Sequence, residues 1–164
     1  MKHNKELSIT IGGSRKETNW KPQRIMWQEF VERLRTPVES EETQEEYKRL
    51  TKAQQDDLKD VGGFVGGLLN GSRRKSGSVK SRCLITLDMD NIPAGGTEDV
   101  LKRVNGLECA FVVYSTRKHE GAAPRLRVIL PTDRELVPDE YEPIARKISV
   151  SDRDRSMRPY YIPV

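Results

Sequence analysis

Cysteine is scarce in this chain. There are two in 164 residues, Cys83 and Cys109, and neither belongs to a Cys-x-x-Cys or Cys/His cluster. Zinc therefore has no ligand set, and two buried, reduced thiols, each at the start of an apolar run, are expected instead. Long hydrophobic runs are missing too. Every apolar stretch falls well short of the ~20 residues that span a bilayer, and the polar N-terminus has no signal-peptide pattern. A cytoplasmic protein with no membrane partner is expected. There is no internal repeat. A Gly-x-x-x-x-Gly-Lys-Ser/Thr loop and a Gly-x-Gly-x-x-Gly turn between strand and helix are both absent. So are Ser/His/Asp spacing and a nucleophilic cysteine context, which leaves hydrolase chemistry little to stand on.

What is there is charge. Asp, Glu, Lys and Arg make up 33% of the residues against 35% for the hydrophobic set, so part of the chain is expected in arms or exposed helices. The length suits one domain with a real core. A formal charge of +4 and a pI near 9.1 fit a polyanionic partner, and the clustering of charge says more. Glu39 to Glu46 is acidic and reads as the start of a solvated helix or helical pair running to Asp60. The Gly-rich, apolar stretch VGGFVGGLLNG (Val61 to Gly71) then gives way to Ser72–Arg82, which carries Arg73, Arg74, Lys75, Lys80 and Arg82 without one acid. The Gly-rich stretch reads as a flexible or tightly packed connection, and the basic one as a nucleic-acid-binding patch.

The alternation in Leu7–Ile11 predicts a short strand. Ile25, Met26, Phe30, Val31 and Leu34 recur at helical spacing and predict a helix over Pro22–Leu34, with Trp20 and Trp27 as packing anchors in preference to base-stacking groups. The second half has a clearer rhythm. It predicts strands at Cys83–Met89, Cys109–Thr116 and Arg125–Leu130, the last closed by Pro131, and helices at Thr97–Val104 and Val137–Ile148. The order β-α-β-β-α, with RPYYIPV as a possible fourth strand, is the ferredoxin-like, split βαβ pattern of an α+β protein. Residues 1–82 form an N-terminal extension of strand, helices and Gly-rich, basic linker. Residues 83–164 form the core, and the two parts are expected to pack as one domain.

Two constellations could carry chemistry. In LITLDMDN the side chains alternate across the strand, so Leu84, Thr86, Asp88 and Asp90 share one face while Ile85, Leu87 and Met89 share the other. Carboxylates at i, i+2 at the end of a buried strand repel unless a cation neutralises them, and hard oxygens suit Mg²⁺ or Mn²⁺. Equally, the strand could end at Asp88 with both acids in water and Asp90-Asn91 opening a turn. The second constellation is YSTRKHEGAAPRLRV: Ser115, Arg117 and His119, then Arg125 and Arg127 on one strand face. Guanidinium forks, hydroxyls and an imidazole are what a phosphate-binding wall needs. An ordinary hairpin with solvated basic residues satisfies the same stretch.

The blocks KDVGGFVGG, SRCLITLDMDN, VVYSTRKHEGAAPRLRVILP and PDEYEPIARKI, in this order, resemble the N-terminal part of the phage and prophage virulence-associated E (primase-helicase) proteins. That region is similar to the archaeo-eukaryotic primase superfamily. The resemblance covers the chain from the N-terminal helix through Ile148. It implies a core related to the RNA-recognition-motif fold and a role in DNA replication priming. That role is metal-dependent nucleotidyl transfer with Mg²⁺ or Mn²⁺, on a single-stranded DNA template, from nucleoside triphosphates. It also implies an acidic pair, matched by Asp88 and Asp90, and a Ser-x-His motif. Here Ser115 matches, Arg117 stands at the histidine position, and His119 is the nearest histidine. Asp88, Asp90 and His119 are thus the implied catalytic residues, with Ser115, Arg117, Arg125 and Arg127 on the nucleotide. Arg73, Arg74, Lys75, Lys80 and Arg82 are placed on the template. A third acid is implied near the end, where Asp152 and Asp154 are available. The helicase part of long members does not follow, so a truncated or short member with a separate helicase is expected. The altered histidine also admits an inactive remnant that only binds nucleotide or nucleic acid.

Overall fold

Alternating burial along Glu6–Gly12 makes it strand β1, with Leu7 and Ile9 turned into the core. It sits at the centre of a three-stranded antiparallel sheet, between β2 (Lys21–Met26) and β3 (Gly63–Val65). The structure is a computed structural model and describes residues 4–150 and 158–159. The helix expected over Pro22–Leu34 starts later. Its first part is β2, in continuous register with β1 from Met26↔Glu6 to Lys21↔Ile11, and α1 covers only Trp27–Arg35. Helical and strand periodicities coincide over so short an apolar stretch, and cross-strand pairing decides between them. Pro22, which suits a helix start, is equally at home on an edge strand, where its missing N–H costs no ladder bond. Trp20 and Trp27 are both buried.

A pair of short helices follows, α2 (Gln44–Arg49) and α3 (Lys52–Leu58). Each opens on a reciprocal capping box, Thr43 with Glu46 and Thr51 with Gln54. Both helices are charged, but Tyr47 of α2 is buried, so the pair is anchored to the body of the protein.

The Gly-rich segment is a crossing point. After β3 the chain passes Gly66 and enters β4 (Gly67–Leu69), which pairs with β5 (Val79–Met89) in the second sheet. The Gly66 carbonyl accepts from both Cys83 and Leu84 amides, at 2.8 and 3.2 Å. A Cβ at Gly66 would lie 2.7 Å from that of Leu84, so glycine is what lets the two sheets join this closely.

The second sheet runs β4-β5-β7-β6, with β7 (Leu126–Leu136) and β6 (Val112–Ser115) antiparallel to their neighbours, while Arg158–Pro159 (β8) pairs with β5 at Asp88 and Leu87. Helices α4 (Thr97–Asn105) and α5 (Pro138–Val150) complete a mixed α+β architecture. Ile85, Leu87 and Met89 pack with Leu126, Val128 and Leu130 against Val100 and Val104 of α4 and Ala145 of α5. Leu84 and Ile129 project to the opposite face and meet Leu7, Ile9, Ile25, Trp27 and Phe30. Full burial stabilises by roughly 1.5–3 kcal/mol per large aliphatic side chain, so both cores contribute substantially.

Two further expected boundaries shift. Strand β7 continues through Pro131 to Leu136: Pro131 faces Leu84, beside the register shift between Arg82 and Leu84, and beyond the reach of β6. Strand β6 starts at Val112, not Cys109, because the turn closing α4 runs on through Glu108, whose φ is 52°. Cys109 is therefore exposed, against expectation, while Cys83 is buried. Burial pushes the Cys83 thiol up to about 11. In native protein at mildly alkaline pH, one thiol should react promptly with a disulfide reagent and the second only after unfolding. Two fast equivalents would contradict this placement. No helix among the described residues is long and apolar enough to cross a membrane.

Candidate functional site

The chemistry-bearing residues gather where β5 ends. Register places Asp88 directly opposite Arg127, and Arg127 directly opposite Tyr114 on β6, so one row crosses three strands. The Arg127 guanidinium forks onto Asp88: Nε donates to Oδ1 at 2.5 Å and Nη2 to Oδ2 at 2.9 Å. Its Nη1 reaches the Tyr114 hydroxyl at 3.5 Å, and the guanidinium carbon lies 6.0 Å from that ring's centroid. The pair is well shielded, with side chains 13% (Asp88) and 28% (Arg127) exposed. Burial works against the charge on Arg127. The hydrogen bonds and charges of Asp88 and Tyr114 outweigh it and hold the proton more tightly than usual.

One step further along the same face, Arg125 Nη1 donates to Asp90 Oδ1 at 3.3 Å. This second pair is open, with Asp90 55% exposed. The i, i+2 acids thus do share a face with the two arginines, and the charge that a carboxylate pair demands is supplied by guanidinium groups. The hard oxygens of Asp88 and Asp90 fit Mg²⁺ or Mn²⁺ in ligand type. Asp90 is accessible, whereas both Asp88 oxygens already accept from Arg127, so a cation there would share the carboxylate with the guanidinium or displace it. Among the described residues no group of three or more His, Cys, Asp or Glu is gathered to hold a metal. Asp152 and Asp154 lie outside the described residues.

The other predicted residues divide. His119 lies beside Arg125: its Nδ1 is 3.1 Å from the Arg125 amide nitrogen and 3.2 Å from the Arg125 carbonyl oxygen, so it accepts from the one or donates to the other according to tautomer. Arg117 faces away from the acids and works as a clamp. It bonds Gln44 Oε1 at 2.7 Å, the Glu42 carbonyl at 3.0 Å and Ser40 Oγ at 3.2 Å, and its guanidinium lies 4.5 Å from the Tyr47 ring centroid. Ser115 pairs with Leu126 in the row that faces the helices, so the structure does not bring it to Asp88 and Arg127. Beside Arg125 a cleft of roughly 320 Å³ opens between the helix pair and the β6–β7 hairpin, lined by Gln44, Tyr47, Gln55, Lys118, Glu120 and Arg125 among others.

The basic patch lies towards the other end of β5. Lys80 and Arg82 are strand residues, and Arg82 precedes Asp88 by six positions, about 20 Å at ~3.4 Å per residue. Arg82 lies over the Tyr141 ring of α5 at 5.0 Å, and Arg74 over Trp20 at 5.3 Å. Arg73, Arg74 and Lys75 occupy the loop between β4 and β5. Sequence reasoning missed Tyr114, Tyr47, Gln44 and Gln55. Tyr114 becomes visible only through the register that sets it across from Arg127. The other three sit on what reads as a solvated helix pair.

A family model described as VapE N-terminal domain matches residues 1–152. No curated protein and no solved structure matches the chain.

Proposed function

The chain belongs to the VapE N-terminal domain family, and from that membership and the geometry at the end of β5 we propose a primase-type nucleotidyltransferase acting on single-stranded DNA. The observation that supports it most is that two carboxylates and two guanidinium groups meet on one sheet face. Asp88 and Asp90 are the residues to hold Mg²⁺ or Mn²⁺, which when bound supplies charge for activating an attacking hydroxyl and stabilising the departing pyrophosphate. Phosphate oxygens match the fork that Arg127 now offers Asp88, so a triphosphate can take the guanidinium groups over from the acids. The His119 imidazole, held against the Arg125 backbone, adds a further hydrogen-bonding group. The loop carrying Arg73, Arg74 and Lys75, together with Lys80 and Arg82, is separated from this point by several nucleotides' length and suits the template backbone.

Wild-type protein given Mn²⁺, nucleoside triphosphates and single-stranded DNA is expected to make a dinucleotide, and Asp88→Ala to make none. A folded wild type that yields no metal-dependent product would refute catalysis. The bidentate hold of Arg127 on Asp88 favours one second reading, a domain that grips nucleotide and DNA without turnover. It predicts binding that weakens steeply with salt and no product under any metal.

A further inference from the structure

We propose that the cleft between the α2–α3 pair and the β6–β7 hairpin is a nucleobase site, and that it selects bases presenting amino donors, guanine foremost. This rests on the nucleotide reading above and names which end of the nucleotide the cleft takes. Arg125 belongs to both places: it donates to Asp90 and lines the cleft. A nucleotide whose phosphates engage Arg125 therefore has its nucleoside end beside the opening. The volume, roughly 320 Å³, lies at the lower end of ligand-pocket sizes, which suits a base and sugar.

Beside the cations Lys48, Lys118 and Arg125, the lining holds two fixed acceptors. Gln55 Nε2 donates to the Tyr47 and Leu50 carbonyls, both at 3.1 Å, which uses its amide hydrogens and leaves Oε1 as the remaining hydrogen-bonding atom. Glu120 meets Lys48 Nζ through Oε1 at 2.5 Å, leaving Oε2. Its backbone is set by reciprocal bonds with Ala123, at 3.1 and 3.3 Å, so the carboxylate stands on a closed turn. A carboxylate repels phosphate and accepts from exocyclic amino groups, which orients a nucleotide with its phosphates at Arg125 and Arg127 and its base at Glu120. The wall itself is built: Arg117 clamps the hairpin to α2 through Gln44 and the Tyr47 ring. Tyr47 is 1% exposed, and its hydroxyl has no hydrogen-bond partner among the described residues, an uncommon state for a buried polar group.

Calorimetric titration of the full chain with GTP, ITP and inorganic tripolyphosphate tests this. ITP differs from GTP by the 2-amino group alone. GTP should bind about tenfold tighter than ITP, in line with the discrimination a satisfied amino donor gives. In Gln55→Leu and in Glu120→Ala the GTP:ITP ratio should fall towards one, with melting curves confirming that both variants are folded. A wild-type ratio near one overturns the base site, as does a ratio unchanged in both folded variants. Tripolyphosphate reports on the arginines alone. If it binds while the ratio is one, only the base site falls. If neither it nor any nucleotide binds, the nucleotide reading falls as well.

Discussion

Asp88→Ala is expected to lower stability by about 3 kcal/mol, because it takes away the anion that neutralises a mostly buried guanidinium. For a domain of this size that corresponds to a drop in Tm of roughly 6–12 °C. The magnitude sits at the lower end of what breaking a buried pair costs, since Arg127 keeps 28% of its side-chain surface in water. Two comparisons separate this cause from simple loss of a side chain. Asp90→Ala removes an exposed contact at 3.3 Å and should change stability by less than about 0.5 kcal/mol. Asp88→Leu combined with Arg127→Leu should recover most of the loss, because both charges leave together. Thermal melts of the four proteins decide it. An Asp88→Ala variant melting within a degree or two of wild type would show that the pair contributes little. Loss of product in that variant is accordingly meaningful only below its own melting range.

Gly67→Ala should be as damaging, about 3 kcal/mol or more, from a single methyl group. A Cβ there would stand 1.8 Å from the Ser81 carbonyl oxygen and 2.8 Å from the Arg82 Cα. Those are backbone atoms of the paired strand, so no side chain can swing aside and β4 must part from β5. Gly63→Ala is the matched control, four residues earlier in the same segment. Nothing lies within 4 Å of its added Cβ, so the substitution should be neutral, or stabilising by a few tenths of a kcal/mol through the unfolded chain. Urea midpoints of the two variants should differ widely. Similar midpoints would mean that β4 does not press on β5 as described.

The sequence was most informative where side-chain alternation and spacing are local properties. Ile85, Leu87 and Met89 could be assigned to one face and Asp88 and Asp90 to the other because a strand leaves no other choice. Helix α4 was equally visible: expected over Thr97–Val104, it spans Thr97–Asn105. What stayed hidden depends on register. Nothing local says that Arg127 lies across from Asp88, or that Arg117, two residues after Ser115, turns towards Gln44. Spacing alone therefore left a metal site and a solvated turn equally open for the carboxylate pair, and it gave no sign that the folded chain places a guanidinium on each acid. The Gly-rich segment was ambiguous for a related reason. Glycine signals either freedom or close approach, and only the Leu84 side chain against Gly66 decides for the second. Burial of Tyr47 beneath Arg117 likewise could not be read from a helix whose other residues are charged.

Strand β5 is a shared wall. Leu84 faces the core built on β1 and α1, while its neighbour Ile85 faces the one beneath α4 and α5. Because a strand cannot release one face and keep the other, neither apolar interior can melt by itself. Damage done to Leu7 or Phe30 is felt at Val100, and heat or denaturant should dismantle the two layers as one cooperative event.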